Sequence, residues 1–151
     1  MLRQAFTDRL KIAMKARDAR TVSTVRLILA ALKERDVAAR GEGNTDGLGD
    51  ADITRMLQGM IKQRRESIAL YHQGNRPDLA QRENEEIVVI ETFLPQQMSE
   101  GEIIAAAHSA IAELGAAGTR DMGRVMAALR ERHAGVIDMA RAGAIVKQLL
   151  G

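Results

Sequence analysis

The sequence contains no cysteine, which excludes disulfides, thiolate nucleophiles and cysteine-ligated metals. It contains no tryptophan, and its other aromatic residues are Phe6, Tyr71 and Phe93 alone. A core with so few rings must be aliphatic. The Leu, Ile, Val, Met and Ala that supply it, with only two prolines in the chain, favour helix over strand. No apolar run approaches the roughly 20 residues of a membrane helix, so no membrane partner is expected. The stretch from Met1 to Arg20 is basic and amphipathic, as a transit peptide is, but Asp8 and Asp18 argue against one and it has no apolar signal core. The expected compartment is the cytoplasm.

What is present suits one ordinary domain or two small ones: 151 residues, 46% of them apolar and 28% charged. The net charge of +2 conceals an uneven distribution. Residues 1–40 hold 10 Lys/Arg against 4 Asp/Glu, residues 41–99 hold 6 against 10, and residues 100–151 hold 6 against 6. A basic first third can meet phosphate, or it can pair with the acidic middle third. Charge alone favours internal pairing, because most charges of a small globular chain serve its own surface.

Helical periodicity runs through the chain and predicts an all-α fold. Phe6, Leu10, Ala13 and Met14 form one stripe; Val22, Val25, Leu29 and Leu32 a second. Ile53, Met56, Leu57, Met60, Ile61, Ile68 and Tyr71 form a third. Four glycines between Gly41 and Gly49 predict a mobile loop, after which Asp50 or Asp52 caps the third helix. That helix stops at Gly74 as its C′ residue, and Pro77 opens a fourth carrying Leu79, Ile87, Ile90 and Leu94. Ile87-Val-Val-Ile90 has strand propensity but no partner strand, so it reads as the buried end of a helix. Pro95-Gln-Gln-Met98 reads as a hinge, and Ser99 with Glu102 as a capping box. Three short helices follow, carried by Ile104, Ala107, Ile111 and Leu114; by Met122, Val125, Met126 and Leu129; and by Ala142, Ile145, Val146 and Leu149, the last capped by Asp138. The expected domains are residues 1–95, of about four helices, and residues 96–151, of three.

Chemistry-bearing patterns are sparse. His72, His108 and His133 are scattered without metal-ligand spacing. The Gly41–Gly49 loop has neither a preceding strand nor a Gly-Lys-Ser/Thr, so it reads as a linker rather than a phosphate loop. Glu83, Glu85, Glu86 and Glu91 read as a solvated helix face, with Asp78 and Arg82 paired at i, i+4. Ser67 has no visible base. No catalytic residue, metal site or cofactor is expected. The densest cationic cluster is Lys62, Arg64 and Arg65. Arg64 falls on the apolar stripe, so it either snorkels past the core edge or pairs with a buried acid. Arg26 and Lys33, seven apart, flank the second stripe. These residues are the best candidates for an anion-binding face, the competing reading being ion pairs to the acidic fourth helix.

Leu27-Ile-Leu-Ala-Ala-Leu-Lys33, Lys62-Gln-Arg-Arg-Glu-Ser67 with Tyr71, Gly74-Asn-Arg-Pro-Asp-Leu-Ala80 with Glu83 and Glu86, and Phe93-Leu-Pro-Gln-Gln-Met-Ser99 together resemble the YqeY family. Met122-Gly-Arg-Val-Met126, Gly135 and Val146-Lys147 are similar to its C-terminal part, and the resemblance spans nearly the whole chain. That part of the family is similar to the tail domain of GatB, a subunit of the amidotransferase that acts on misacylated tRNA. The resemblance therefore implies a helical domain followed by a GatB-tail-like domain, and a connection to tRNA rather than DNA. It brings Arg76 into the candidate set beside Lys62, Arg64 and Arg65, and adds Arg124 and Lys147 as tail-domain contacts. It implies helix packing at Gly123, with Met126 filling the gap.

The function this implies is a tRNA-associated binding module, not an enzyme complete in itself. A shared tail domain is not a shared activity. No amidase signature or phosphate loop is present for an independent carbon–nitrogen ligase with glutamine as amido donor. The alternatives are an accessory to such a ligase, with an amidotransferase or aminoacyl-tRNA synthetase as partner, and a protein–protein adaptor. Three aromatics give little base stacking, so folded RNA read by shape fits better than single strands.

Overall fold

The computed structural model describes Met1–Gly151 and contains seven α-helices and no strand. They are α1 Leu2–Ala16, α2 Ala19–Gly41, α3 Asp50–Gln73, α4 Pro77–Glu91, α5 Glu100–Leu114, α6 Met122–Arg132 and α7 Met139–Leu150, with a 3₁₀ turn at Thr119–Asp121 before α6. The chain divides into two units, Met1–Leu94 and Pro95–Gly151.

In the first unit α3 packs along α4, α1 along α2, and α2 also against α4, whereas α2 and α3 meet only briefly. The core is the aliphatic one that the composition requires: Val25, Ile28, Ile53, Met56, Leu57 and Ile90 are almost wholly enclosed. Each such side chain contributes about 1.5–3 kcal/mol by leaving water. Phe6 is fully buried and meets Phe93 edge-to-face, with ring centroids 4.8 Å apart. Ile87-Val-Val-Ile90 is helical, with Ile87, Val89 and Ile90 buried. Asp18 caps α2, its carboxylate accepting from the Thr21 N–H. Thr21 and Thr24 are buried within α2 because each hydroxyl finds a local acceptor, Asp18 Oδ2 and the Arg20 carbonyl respectively.

Several local expectations are corrected. Met14 is 51% exposed although it continues the first apolar stripe, while Ile28 is fully buried in its helix. The residue before α3 is Gly49, with no side-chain cap; Asp50 and Asp52 lie inside the first turn, where they meet the positive end of the helix dipole. Gly74 follows α3 with an ordinary φ of −82°, and the left-handed residue is Asn75, at φ 57°. Asp78 pairs with Arg76, not with Arg82.

The Gly41–Gly49 loop, expected as a mobile linker, is fastened at its far end. Both Arg3 Nη atoms donate to the Asp36 carboxylate at 2.7 Å, and Arg3 Nη2 also donates to the Leu48 carbonyl at 2.9 Å. The Leu48 N–H returns to Asp36 Oδ1 at 2.9 Å. Gly47 is required here: its φ is +84°, and a Cβ would lie 2.8 Å from both Arg3 Nη2 and Asp36 Oδ1.

In the second unit α5, α6 and α7 pack on one another around Ile103, Ala107, Ala110, Val125, Leu129, Ile137, Ala142 and Val146. On α5 Ala107 is enclosed and Ile111 and Leu114 pack against the core as expected, but Ile103 is buried in place of Ile104, which is exposed, as is Leu149 on α7. Ser99 and Glu102 form the complete capping box, and the Asp138 carboxylate accepts from the Ala140 and Arg141 N–H groups. The Gln97 and Met98 segment belongs to this unit, held by a Gln97 Nε2 bond to the Gly135 carbonyl and a Met98 N–H bond to the Val136 carbonyl. Gly123 faces open space. The close approach is at Gly143, where a Cβ would meet Met126 Cε at 3.6 Å.

Candidate nucleic-acid interface

Of the eight cations singled out from sequence, four have a carboxylate within 4.0 Å. Arg64 is the most enclosed, its side chain 13% exposed beside a Glu86 at 12%. Arg64 Nε donates to Glu86 Oε2 at 2.8 Å, and Nη1 donates to the Met60 carbonyl at 3.2 Å. An arginine on an apolar stripe is tolerated because its charge is matched there. Arg65 lies 3.8 Å from Glu91. Arg76 grips Asp78 through Nε and Nη2, at 3.1 and 3.0 Å, which holds that carboxyl below its ordinary range. Arg124 donates to Asp121 at 2.9 Å; the Ala117 N–H, and then Arg124, lower the Asp121 carboxyl.

The remaining four, Arg26, Lys33, Lys62 and Lys147, are exposed. None of them forms an ion pair. Arg26 and Lys33 lie on the solvent face of α2, and Arg40 continues the row another seven residues on. Ala30 and Val37 lie between them, also exposed. Seven residues rise about 10.5 Å along a helix and return to nearly the same face. The three charges thus stand in line, spaced by about two turns. Arg40 was missed from sequence, although its spacing from Arg26 and Lys33 is the signal that finds it.

The wider basic third behaves in the same way. Of its ten cations, only Arg3 and Arg20 take a carboxylate partner: Arg3 takes Asp36, and Arg20 takes Glu85 at 3.0 Å and Glu86 at 4.0 Å. The other eight, among them Lys11, Lys15, Arg17 and Arg35, are exposed. The acidic face of α4 is answered by Arg20, Arg64 and Arg65 instead, leaving Glu83 with no ion pair. No group of three acidic or histidine side chains converges as a metal site. No helix is long and apolar enough to cross a membrane.

The fold and the charge arrangement define a class: an all-α protein of two helical units, the first presenting a cationic helix face without ion pairs, of which Arg40 alone acts on a carboxylate, at a distance, on Asp36. The comparisons narrow it. The family model described as Yqey-like protein matches residues 3–150. The chain is 34% identical over 107 residues to altered inheritance of mitochondria protein 41, mitochondrial, of Lachancea thermotolerans, covering 70% of this chain and 55% of that protein. It is 34% identical over 98 residues to the protein of the same name from Eremothecium gossypii, covering 60% of this chain and 51% of that protein. It is 26% identical over 98 residues to an uncharacterized protein of Schizosaccharomyces pombe, covering 65% and 76%. The matches thus span about half the length of the two relatives named for mitochondria. This chain belongs to the YqeY family.

Proposed function

We propose that this protein is a tRNA-associated binding module whose first unit holds folded RNA through its phosphates. The observation that carries the reading is the unpaired row Arg26, Lys33 and Arg40 on one face of α2, within a basic third whose charges are mostly not matched internally. A rigid helix presenting cations at fixed spacing suits contact with a phosphate backbone. Phe6 is buried, and Phe93 and Tyr71 are half-buried, so no exposed aromatic platform stands ready to stack bases. Recognition by shape and phosphate follows.

Lys62 on α3 and Lys147 on α7 are the next candidates. Arg64, Arg65, Arg76 and Arg124 contribute less, because phosphate must compete there with a carboxylate already in place. The choice of tRNA among folded RNAs rests on the family's likeness to the GatB tail. The proposed compartment is the cytoplasm, with mitochondria as the alternative suggested by the names of two relatives.

The test is binding of the full chain to total tRNA through a salt series. Sub-micromolar binding at low salt that weakens steeply as salt rises supports the reading. Absence of binding at low salt sinks it for the isolated chain.

A further inference from the structure

A groove of about 420 Å³ lies between α2, α3 and α4, and the RNA reading makes no use of it. Its most enclosed members are Arg64 and Glu86, already matched to each other, with Arg20 also 4.0 Å from Glu86. The other polar residues on its walls are Gln63, Ser67, Tyr71, Arg82 and Glu83. None of these five side chains makes a hydrogen bond or a close ion pair within the protein, although Arg64 and Arg82 pull on the Glu83 charge from a distance. Leu27 and Leu79 supply an apolar wall, Leu27 remaining 47% exposed. The unmatched charge is therefore one guanidinium and one carboxylate, carried by neighbouring residues of α4.

We infer that this groove binds a small zwitterion, a free α-amino acid, its ammonium on Glu83 and its carboxylate on Arg82. A ligand of single charge satisfies one of these groups and crowds the other, whereas a zwitterion satisfies both. The groove lies within the roughly 300–1,000 Å³ of small-molecule sites, leaving room for a side chain beside Leu27 and Leu79. Gln63, Ser67 and Tyr71 can then hydrogen-bond whatever polar atoms that side chain carries. Burial, and then the charge of Glu86, raises the Glu83 carboxyl against the weaker pull of Arg64 and Arg82, so an arriving ammonium relieves a carboxylate held at some cost. The site does not depend on whether RNA binds elsewhere.

The protein carries its own reporter. Tyr71 is the only tyrosine and there is no tryptophan, so tyrosine emission reports this groove alone. The full chain is titrated to about 10 mM with each common amino acid except tyrosine and tryptophan, whose own emission would mask Tyr71, and each that binds is then tested as its amide and as its N-acetyl derivative. The expected result is a saturable change in Tyr71 emission with at least one amino acid, weakened about tenfold or more in both derivatives. Glu83→Gln and Arg82→Gln should each weaken binding by about tenfold or more, with helical circular dichroism unchanged. The inference is overturned if no amino acid changes the emission, if the amide and N-acetyl forms bind as well as the parent, or if both variants bind like wild type. The derivatives probe the charges on the unaltered chain, so the test stands even where a variant fails to fold.

Discussion

Replacing Arg64 by alanine separates a structural cation from a binding one. The change takes the 2.8 Å partner from Glu86, whose side chain is only 12% exposed. Removing one member of a fully buried ion pair costs about 3–5 kcal/mol, most of it the uncompensated charge left behind. Glu86 still has Arg20 Nη1 at 4.0 Å and some water, so the loss expected here is about 2–3 kcal/mol. With urea slopes of about 1–3 kcal/mol/M, the unfolding midpoint should fall by about 1–2 M. The double variant Arg64→Met with Glu86→Leu removes both charges and keeps the bulk, and should return to within about 1 kcal/mol of wild type. Urea titration followed by circular dichroism at 222 nm reads both. A loss below about 0.5 kcal/mol for Arg64→Ala, or a double variant no more stable than the single, refutes the reasoning. On the same account Arg64→Ala changes the salt dependence of tRNA binding less than Lys33→Ala does.

The loop fastening gives two further predictions. Arg3, and then the Leu48 N–H, hold the Asp36 carboxyl at about 2 against its ordinary 3.8. Because its folded value is depressed, this group's stabilisation is whole above pH 3.8 and is lost as pH falls through about 2. Asp36→Asn should cost about 1–2 kcal/mol near neutrality and flatten that acid limb, as read by thermal melts across pH. Gly47→Ala should cost about 1–3 kcal/mol and speed hydrogen exchange at the Leu48 amide, since the left-handed backbone and the 2.8 Å contacts both oppose a Cβ. In the second unit Leu129→Ala should cost about 2–5 kcal/mol. Every aromatic residue lies within residues 1–94, so hydrogen exchange along α5–α7, not tyrosine emission, is the measurement that shows it.

The helices were legible because each carries several apolar residues at the helical period, and no competing strand pattern exists. Their exact rotation was less so. Ile103 and Ile104 are chemically identical neighbours, and only packing on α6 and α7 decides that Ile103 is the one enclosed. Thr21 and Thr24 do not look like core residues, because the local acceptors that permit their burial depend on helix geometry. The cation set was visible as residue types but not as partners. Asp78 and Asp121 lie two and three residues from Arg76 and Arg124, so those pairs are local, but only the fold brings Glu86, across 22 residues, against Arg64. The groove at Tyr71 was not legible at all, since it requires α2, α3 and α4 to be in place together.

The most direct test of the central claim compares the salt dependence of tRNA binding for wild type and for the triple variant Arg26→Ala, Lys33→Ala and Arg40→Ala. Each phosphate contact contributes about 0.7–0.9 to the slope of log K against log salt, so loss of three contacts should reduce its magnitude by about 2–3. The account predicts that reduction with helicity retained and urea stability little changed, because none of these three side chains forms an ion pair and only Arg40 acts on a carboxylate, at a distance, on Asp36. Wild-type protein that fails to bind tRNA at low salt, or a triple variant whose slope equals that of wild type, would contradict it.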